Sequence, residues 1–348
     1  MNPDYRRRRQ ALRATQQRGV IILHKGGEHF NENLFYLTGL ETFFTTAIIS
    51  CDSDFECILT NEIELPFISN SSGIDDIRRS NPANLHSEVI NILKLLKPEV
   101  IYTDYSLYSK TPLPPFLYEA IKSEFSEASI CHLPEQLLHM RLVKDRYETE
   151  VMQKGVGIIS NVFETLKELI APGLTETSLA SEIYRQLVLG GFNKFYDISV
   201  ASGPRSSIPY YRSNDNILPD KGVVLIDIAA AIDNYVCDMT RTFPIAGKFS
   251  EKEQAIFNLV IETQEKVIAD ALPGTTLNAL NMKAFDVFKK HNLERYYYNK
   301  IGHFLGLGVD DQGGDDVILE KGMVITVEPG LYLNQDELGI RKEDMVFL

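Results

Sequence analysis

The run Val223-Val224-Leu225-Ile226-Asp227-Ile228-Ala229-Ala230-Ala231 constrains this chain more than any other segment. Apolar residues on both sides of Asp227 give the pattern of a strand buried on both faces, and a carboxylate in such a strand needs a partner. The chain then turns back at once. With Ile232-Asp233 at the centre of a tight turn, Asp238 of the returning strand faces Asp227 directly. Cβ atoms so paired lie about 4.5–5.5 Å apart, and like charges there destabilise a sheet unless a cation lies between them. Arg241 is one cation on offer. A single guanidinium leaves most of the four carboxylate oxygens unserved, which favours a metal.

The same geometry recurs toward the C-terminus. Glu328 ends the apolar strand VITVE, residues 334–337 form a polar turn, and Glu343 lies as far beyond the turn centre as Glu328 lies before it. The Gly-rich segment GHFLGLGVDD (302–311) adds His303. Four carboxylates and one imidazole are mostly hard oxygen donors, suited to two divalent ions about 3.5–4 Å apart, with Mn(II) favoured and Fe, Co or Zn also acceptable. A water between two such ions ionises near neutral pH, and an adjacent ion polarises a carbonyl, so hydrolysis is the expected chemistry.

Length and composition fit that picture. The 348 residues, 44% apolar, are enough for two ordinary cores. The net charge of -13 argues against nucleic acid or an anionic membrane as the main partner. Cys51, Cys57, Cys131 and Cys237 show no CxxC spacing, the signature of a reduced intracellular chain without a disulfide framework. No signal-like apolar segment follows Arg6 to Arg9 and no run of about 18 apolar residues occurs, so a cytoplasmic protein is expected. The arginine block itself reads as the solvated face of an N-terminal helix.

Residues 1–143 alternate short apolar runs (Val20 to Leu23, Ala47 to Ile49, Cys57 to Leu59, Val100 to Tyr102) with helical patterns such as Glu88 to Leu96, an α/β arrangement. Ile68 to Asn84 reads as a surface loop, Thr111 to Pro115 as a Pro-rich turn, and His24, His29 and His86 as surface or internally satisfied histidines. Residues 144–348 start with helices over Tyr147 to Ile170 and Ser178 to Leu189. A strand at Ile198 to Ala201, the hairpin, two more helices (Ser250 to Leu272 and Leu277 to His291) and closing strands follow, an α+β domain.

The motifs along this chain resemble the creatinase/aminopeptidase P/methionine aminopeptidase superfamily of "pita-bread" metallopeptidases, specifically its Xaa-Pro aminopeptidase and prolidase branch. They are FYLTGL (35–40), RLVKDRYETEVMQK (141–154), LIDIA (225–229), DMTRTFPIAGKFS (238–250), GHFLGLGV (302–309), TVEPGLY (326–332) and GIRKED (339–344), in family order and spacing. The resemblance implies a pita-bread domain preceded by a smaller creatinase-type α/β domain. It also implies a dinuclear hydrolase whose nucleophile is a metal-bridged hydroxide, with ligands at Asp227, Asp238, His303, Glu328 and Glu343. Asp238 and Glu343 would be shared between the ions, Glu328 would also shuttle the proton, and Thr240 and Arg341 would support the carboxylates.

Three departures accompany the match. Tyr210-Tyr211 stand where the family has His-Tyr, Asn299 replaces the first histidine of its HGTGH, and Asp310 occupies a histidine position that helps stabilise the tetrahedral intermediate. An ionised Asp accepts hydrogen bonds but donates none to an oxyanion. Asp310 instead suits an amine or guanidinium, and Tyr210, Tyr211 and Tyr296 to Tyr298 supply phenol donors, an aromatic wall for a cation, or ordinary packing. Glu328, Asp310 and Tyr210 are thus the candidate catalytic residues, with Tyr211, Thr240, Asn299 and Arg341 around them. Two other functions stay open: a non-peptidase metalloenzyme performing C–N cleavage or lyase chemistry on a small cationic metabolite, and a non-catalytic binding protein. The resemblance further implies a homodimer. It also implies more strand and tail than the five residues after Glu343, so a short or shortened C-terminus is expected.

Overall fold

The computed structural model describes residues 3–15, 18–68, 73–104 and 112–348 and divides the chain into two units, Met1–Arg141 and Leu142–Leu348. In the first unit the elements run α1 (Tyr5–Ala14), β1 (Val20–Gly26), α2 (Glu32–Thr38), β2 (Phe44–Ser50), β3 (Glu56–Thr60), α3 (Leu65–Ile68), β4 (Ile77–Arg79), α4 (Leu85–Leu96), β5 (Val100–Thr103), α5 (Pro115–Glu124), β6 (Ser129–His132) and α6 (Glu135–Leu142). The strands form one mixed sheet in the order β4-β3-β2-β1-β5-β6, antiparallel at β1–β2 and β2–β3 and parallel elsewhere. Central β1 is buried on both faces, as its unbroken apolar run requires. Val89, Leu93, Leu117 and Ile121 of α4 and α5 pack on Ile22, Ile48 and Leu59 of the sheet.

Two expectations for this unit are corrected. Arg8 and Arg9 are buried: Arg9 donates to Leu37 O at 2.7 Å and pairs with Glu56 at 2.9 Å, because α1 turns this face toward α2 and the sheet rather than toward water. The segment expected as a loop over 68–84 contains β4, which pairs with β3, while its residues 69–72 lie outside the described residues, as does Thr111 of the Pro-rich turn. His24 is a buried histidine with its Nδ1 2.8 Å from Thr46 Oγ1. The four cysteines are free thiols.

The second unit contains α7 (Arg146–Leu169), α8 (Glu176–Leu189), β7 (Lys194–Ser202), β8 (Val223–Ile232), β9 (Tyr235–Pro244), α9 (Glu251–Asp270), α10 (Leu277–Lys290), β10 (Val324–Val327), β11 (Gly330–Leu333), β12 (Leu338–Arg341) and β13 (Asp344–Phe347). Capping boxes start α7 at Asp145/Glu148 and α9 at Ser250/Glu253. β7, β8 and β9 form an antiparallel sheet, and α7 packs on it so closely that a Cβ at Gly155 would lie 2.3 Å from Cys237 Sγ. β10 pairs with β13 and β11 with β12, and their apolar residues Ile325, Val327, Leu331 and Ile340 share a core with Val260, Val267, Leu280 and Phe288 of α9 and α10. No helix among the described residues is long and apolar enough to cross a membrane.

Candidate active site

Asp227 on β8 pairs across the sheet with Thr240, and Asp238 on β9 pairs with Ala229. The expected direct pairing of the two aspartates is therefore two residues off. The turn is centred on Asp233-Asn234, with φ of 48° and 69°, because Asp and Asn tolerate the left-handed region that β-branched Ile232 disfavours. A shift of two conserves side-chain parity, so both carboxylates still share one face.

In the C-terminal hairpin the pairing follows the polar turn. Leu333 faces Leu338, Gly330 faces Arg341, and Val327 faces Asp344 in the next ladder, which leaves Glu328 and Glu343 opposite each other in the gap between the two ladders. Their backbone N–H groups go elsewhere, Glu328 N to Ile301 O at 2.7 Å and Glu343 N to Thr240 O at 3.1 Å. These bonds tie the hairpin to the His303 segment and to β9. His303 is held by Thr326, whose Oγ1 accepts from His303 N at 3.0 Å and whose N–H donates to His303 O at 2.9 Å. Gly302 permits this approach, since a Cβ there would lie 2.0 Å from Thr326 O.

Asp227, Asp238, His303, Glu328 and Glu343 thereby line one cavity of about 580 Å³. Asp238, His303 and Glu343 each present a ligand atom within 4.8 Å of the others, and His303 Nε2 lies 3.6 Å from Glu328 Oε1. Asp238 Oδ1 is buried without a hydrogen-bond partner. Arg341 organises the rest: it donates to Asp227 Oδ2 at 2.7 Å, Thr240 Oγ1 at 3.0 Å and the buried Tyr332 hydroxyl at 2.7 Å. Thr240 Oγ1 lies 2.8 Å from both Asp227 Oδ1 and Glu343 Oε2, although its single proton serves one of them at a time. Arg241, the alternative cation, instead donates to Glu343 O and Asp344.

Burial, reinforced by neighbouring carboxylates, holds Asp238 and Glu343 well above the ordinary carboxylate range. Glu328 is also raised by burial, against the opposing charges of Arg341 and His303. Acids so placed hold protons unless a cation takes their place. The oxygen-rich set with one imidazole and the orphaned Asp238 oxygen fit a divalent metal.

The outer residues separate. Tyr210, 90% exposed, Asp310 and Asn299 line the cavity. Asn299 Nδ2 donates to Glu328 O at 2.8 Å and so steadies the end of that strand. Tyr211 also borders the cavity, but its hydroxyl donates to Glu176 Oε2 at 2.6 Å. Of the tyrosine run, Tyr298 lines the cavity, while Tyr296 is buried and Tyr297 donates to Asn281. Glu176 was invisible in the sequence: it is fully buried, and its carboxylate accepts from Ser202, Arg205 and Tyr211. Burial would raise its pKa, but these hydrogen bonds prevail and hold it below the usual value.

Comparison with known proteins places this geometry in a family. Residues 150–348 match the model of metallopeptidase family M24. The chain is 26% identical to an Xaa-Pro dipeptidase of Pyrococcus furiosus, across 91% of this chain and 88% of that protein. It is 31% identical to an Xaa-Pro aminopeptidase of Haemophilus influenzae, across 61% and 56%. The structure of an X-Pro aminopeptidase from Thermotoga maritima shares the fold over 98% of this chain and 95% of that one, with a TM-score of 0.86 and 24% identity. The α+β architecture is thus the expected one, a pita-bread domain after a smaller N-terminal α/β domain. This chain is a hydrolase of metallopeptidase family M24 and belongs to its prolidase and aminopeptidase P branch.

Proposed function

We propose that this protein is a dinuclear metal-dependent Xaa-Pro peptidase, releasing the N-terminal residue from peptides with proline in second place. The observation that carries the reading is the convergence of four carboxylates and His303 in one cavity, with Asp238 Oδ1 buried and unbonded. The Xaa-Pro specificity of its relatives supports the substrate class. Asp227, Asp238, His303, Glu328 and Glu343 would hold two divalent ions, Mn(II) first among the candidates, which would supply an acidified water and polarise the scissile carbonyl. Glu328, which lines the cavity with its Oε1 3.6 Å from His303 Nε2, would take a proton from the attacking water and return it to the proline nitrogen. Thr240 and Arg341 orient Asp227 and Glu343.

A homodimer acting in the cytoplasm on peptides, with no nucleic-acid or membrane partner, completes the proposal and accords with the net charge of -13. A second reading, C–N or lyase chemistry on a cationic metabolite, is favoured by one observation: among the described residues His303 is the sole histidine lining the cavity. Xaa-Pro dipeptides and tripeptides incubated with the Mn(II)-loaded protein decide between them. Release of the first residue supports the peptidase, and no turnover with any divalent metal contradicts it.

A further inference from the structure

The floor of the cavity is internally matched, with Arg341 and Thr240 engaging Asp227 and Glu343. Its outer wall is not matched in the same way. Asp197, paired with Ala229 just past a β-bulge in β7, and Asp310 both line the cavity and are both exposed. Among the described residues lining this cavity the cations are Lys300 and Arg341; Lys300 pairs with Asp315 at 2.7 Å and also feels Asp310, while Arg212, outside this lining, borders Asp197. Two large aromatic surfaces stand beside these acids, Tyr210 at 90% exposure and Tyr298 at 55%, the latter stacked on buried Tyr332. Aromatic faces left in water next to carboxylates form a wall that favours a cation.

Resting on the Xaa-Pro peptidase reading, we propose that this outer wall selects substrates whose N-terminal residue is Lys or Arg. Asp310 and Asp197 would be the specificity residues, and Tyr210 and Tyr298 the surface that holds the side-chain stem and charge. Proline fixes the residue after the scissile bond, so positive charge enters only through the α-ammonium and the first side chain. The ammonium occupies one carboxylate and the side chain the other. A charged hydrogen bond of this partly exposed kind amounts to about a tenfold preference.

The test compares kcat/KM of the full-length Mn(II)-loaded protein for Arg-Pro, Met-Pro and Glu-Pro at low and high salt. Arg-Pro should exceed Met-Pro by about tenfold, with Glu-Pro last, and the spread should narrow in salt. Asp310→Asn should shrink the Arg-Pro to Met-Pro ratio and Asp310→Lys should turn the preference toward Glu-Pro, whatever either does to the overall rate. Equal values for Arg-Pro and Met-Pro in the unmodified protein, or a ratio that neither Asp310→Asn nor Asp197→Asn moves, would overturn the proposal. If no Xaa-Pro dipeptide is cleaved, the peptidase reading fails, and equilibrium binding to the metal-loaded protein decides the charge selection by itself. Argininamide binding more tightly than methioninamide, with the difference lost in Asp310→Asn, upholds it, and equal binding refutes it.

Discussion

At the scale of single residues, the site depends on carboxylates placed where burial disfavours their charge. Asp238 is 5% exposed and has one oxygen unbonded, and Glu343 is only 2% exposed. Asp238→Asn conserves volume but removes the anionic ligand. Metal content by elemental analysis should fall below that of the parent, and kcat/KM on an Xaa-Pro substrate should drop by at least about 100-fold. Thr240→Val, which deletes the hydroxyl shared by Asp227, Glu343 and Arg341, should cost about 10- to 100-fold in metal affinity while the fold persists. Asp227 was legible in the sequence because a charge inside an apolar strand is conspicuous, and Asp238, Glu328 and Glu343 were brought to it by the turns between the strands. Glu176 was not, because it sits on an ordinary amphipathic helix and its partners Ser202, Arg205 and Tyr211 come from a distant segment. Arg9 escaped for the same reason: its burial depends on Glu56 and on the Leu37 carbonyl.

At the scale of elements, two hairpins and one glycine-rich segment bring the residues together. The register of β11 and β12 followed from the polar turn between them, whereas that of β8 and β9 was misjudged by two residues at Ile-Asp-Asn. Adjacent turn formers leave a choice of centre, and side-chain parity kept the site intact despite the error. The His303 segment gives the sharpest test. Gly302→Ala forces a methyl against Thr326 O, so β10 or the His303 loop must move. The variant should lose about 2 kcal/mol of stability in denaturant titration and, with His303 displaced, bind metal less tightly. Unchanged stability and metal affinity would show that the segment is not clamped there.

At the scale of the whole molecule, the two units should respond to different perturbations. Burial lowers the His24 pKa from 6.5 to about 4, so between these values the folded Met1–Arg141 unit binds fewer protons than its unfolded form. The His24 contribution is complete above about pH 6.5 and is lost as pH falls toward 4, on the order of 3 kcal/mol in all. Melting at pH 7 and pH 5 should show this loss, and His24→Gln should flatten it. Removing metal should act on the other unit, lowering its transition by an amount that grows with free metal concentration before chelation. The architecture of each unit was readable from apolar periodicity. The charged interior of α1 and the strand within 68–84 were not, because both depend on long-range packing. Metal-dependent Xaa-Pro cleavage is read out by free proline released from an Arg-Pro or Met-Pro dipeptide before chelation, after it, and after Mn(II) is restored. A metal-dependent peptidase should show turnover that chelation abolishes and Mn(II) recovers. Turnover indifferent to chelation, or none with any divalent metal, would contradict it.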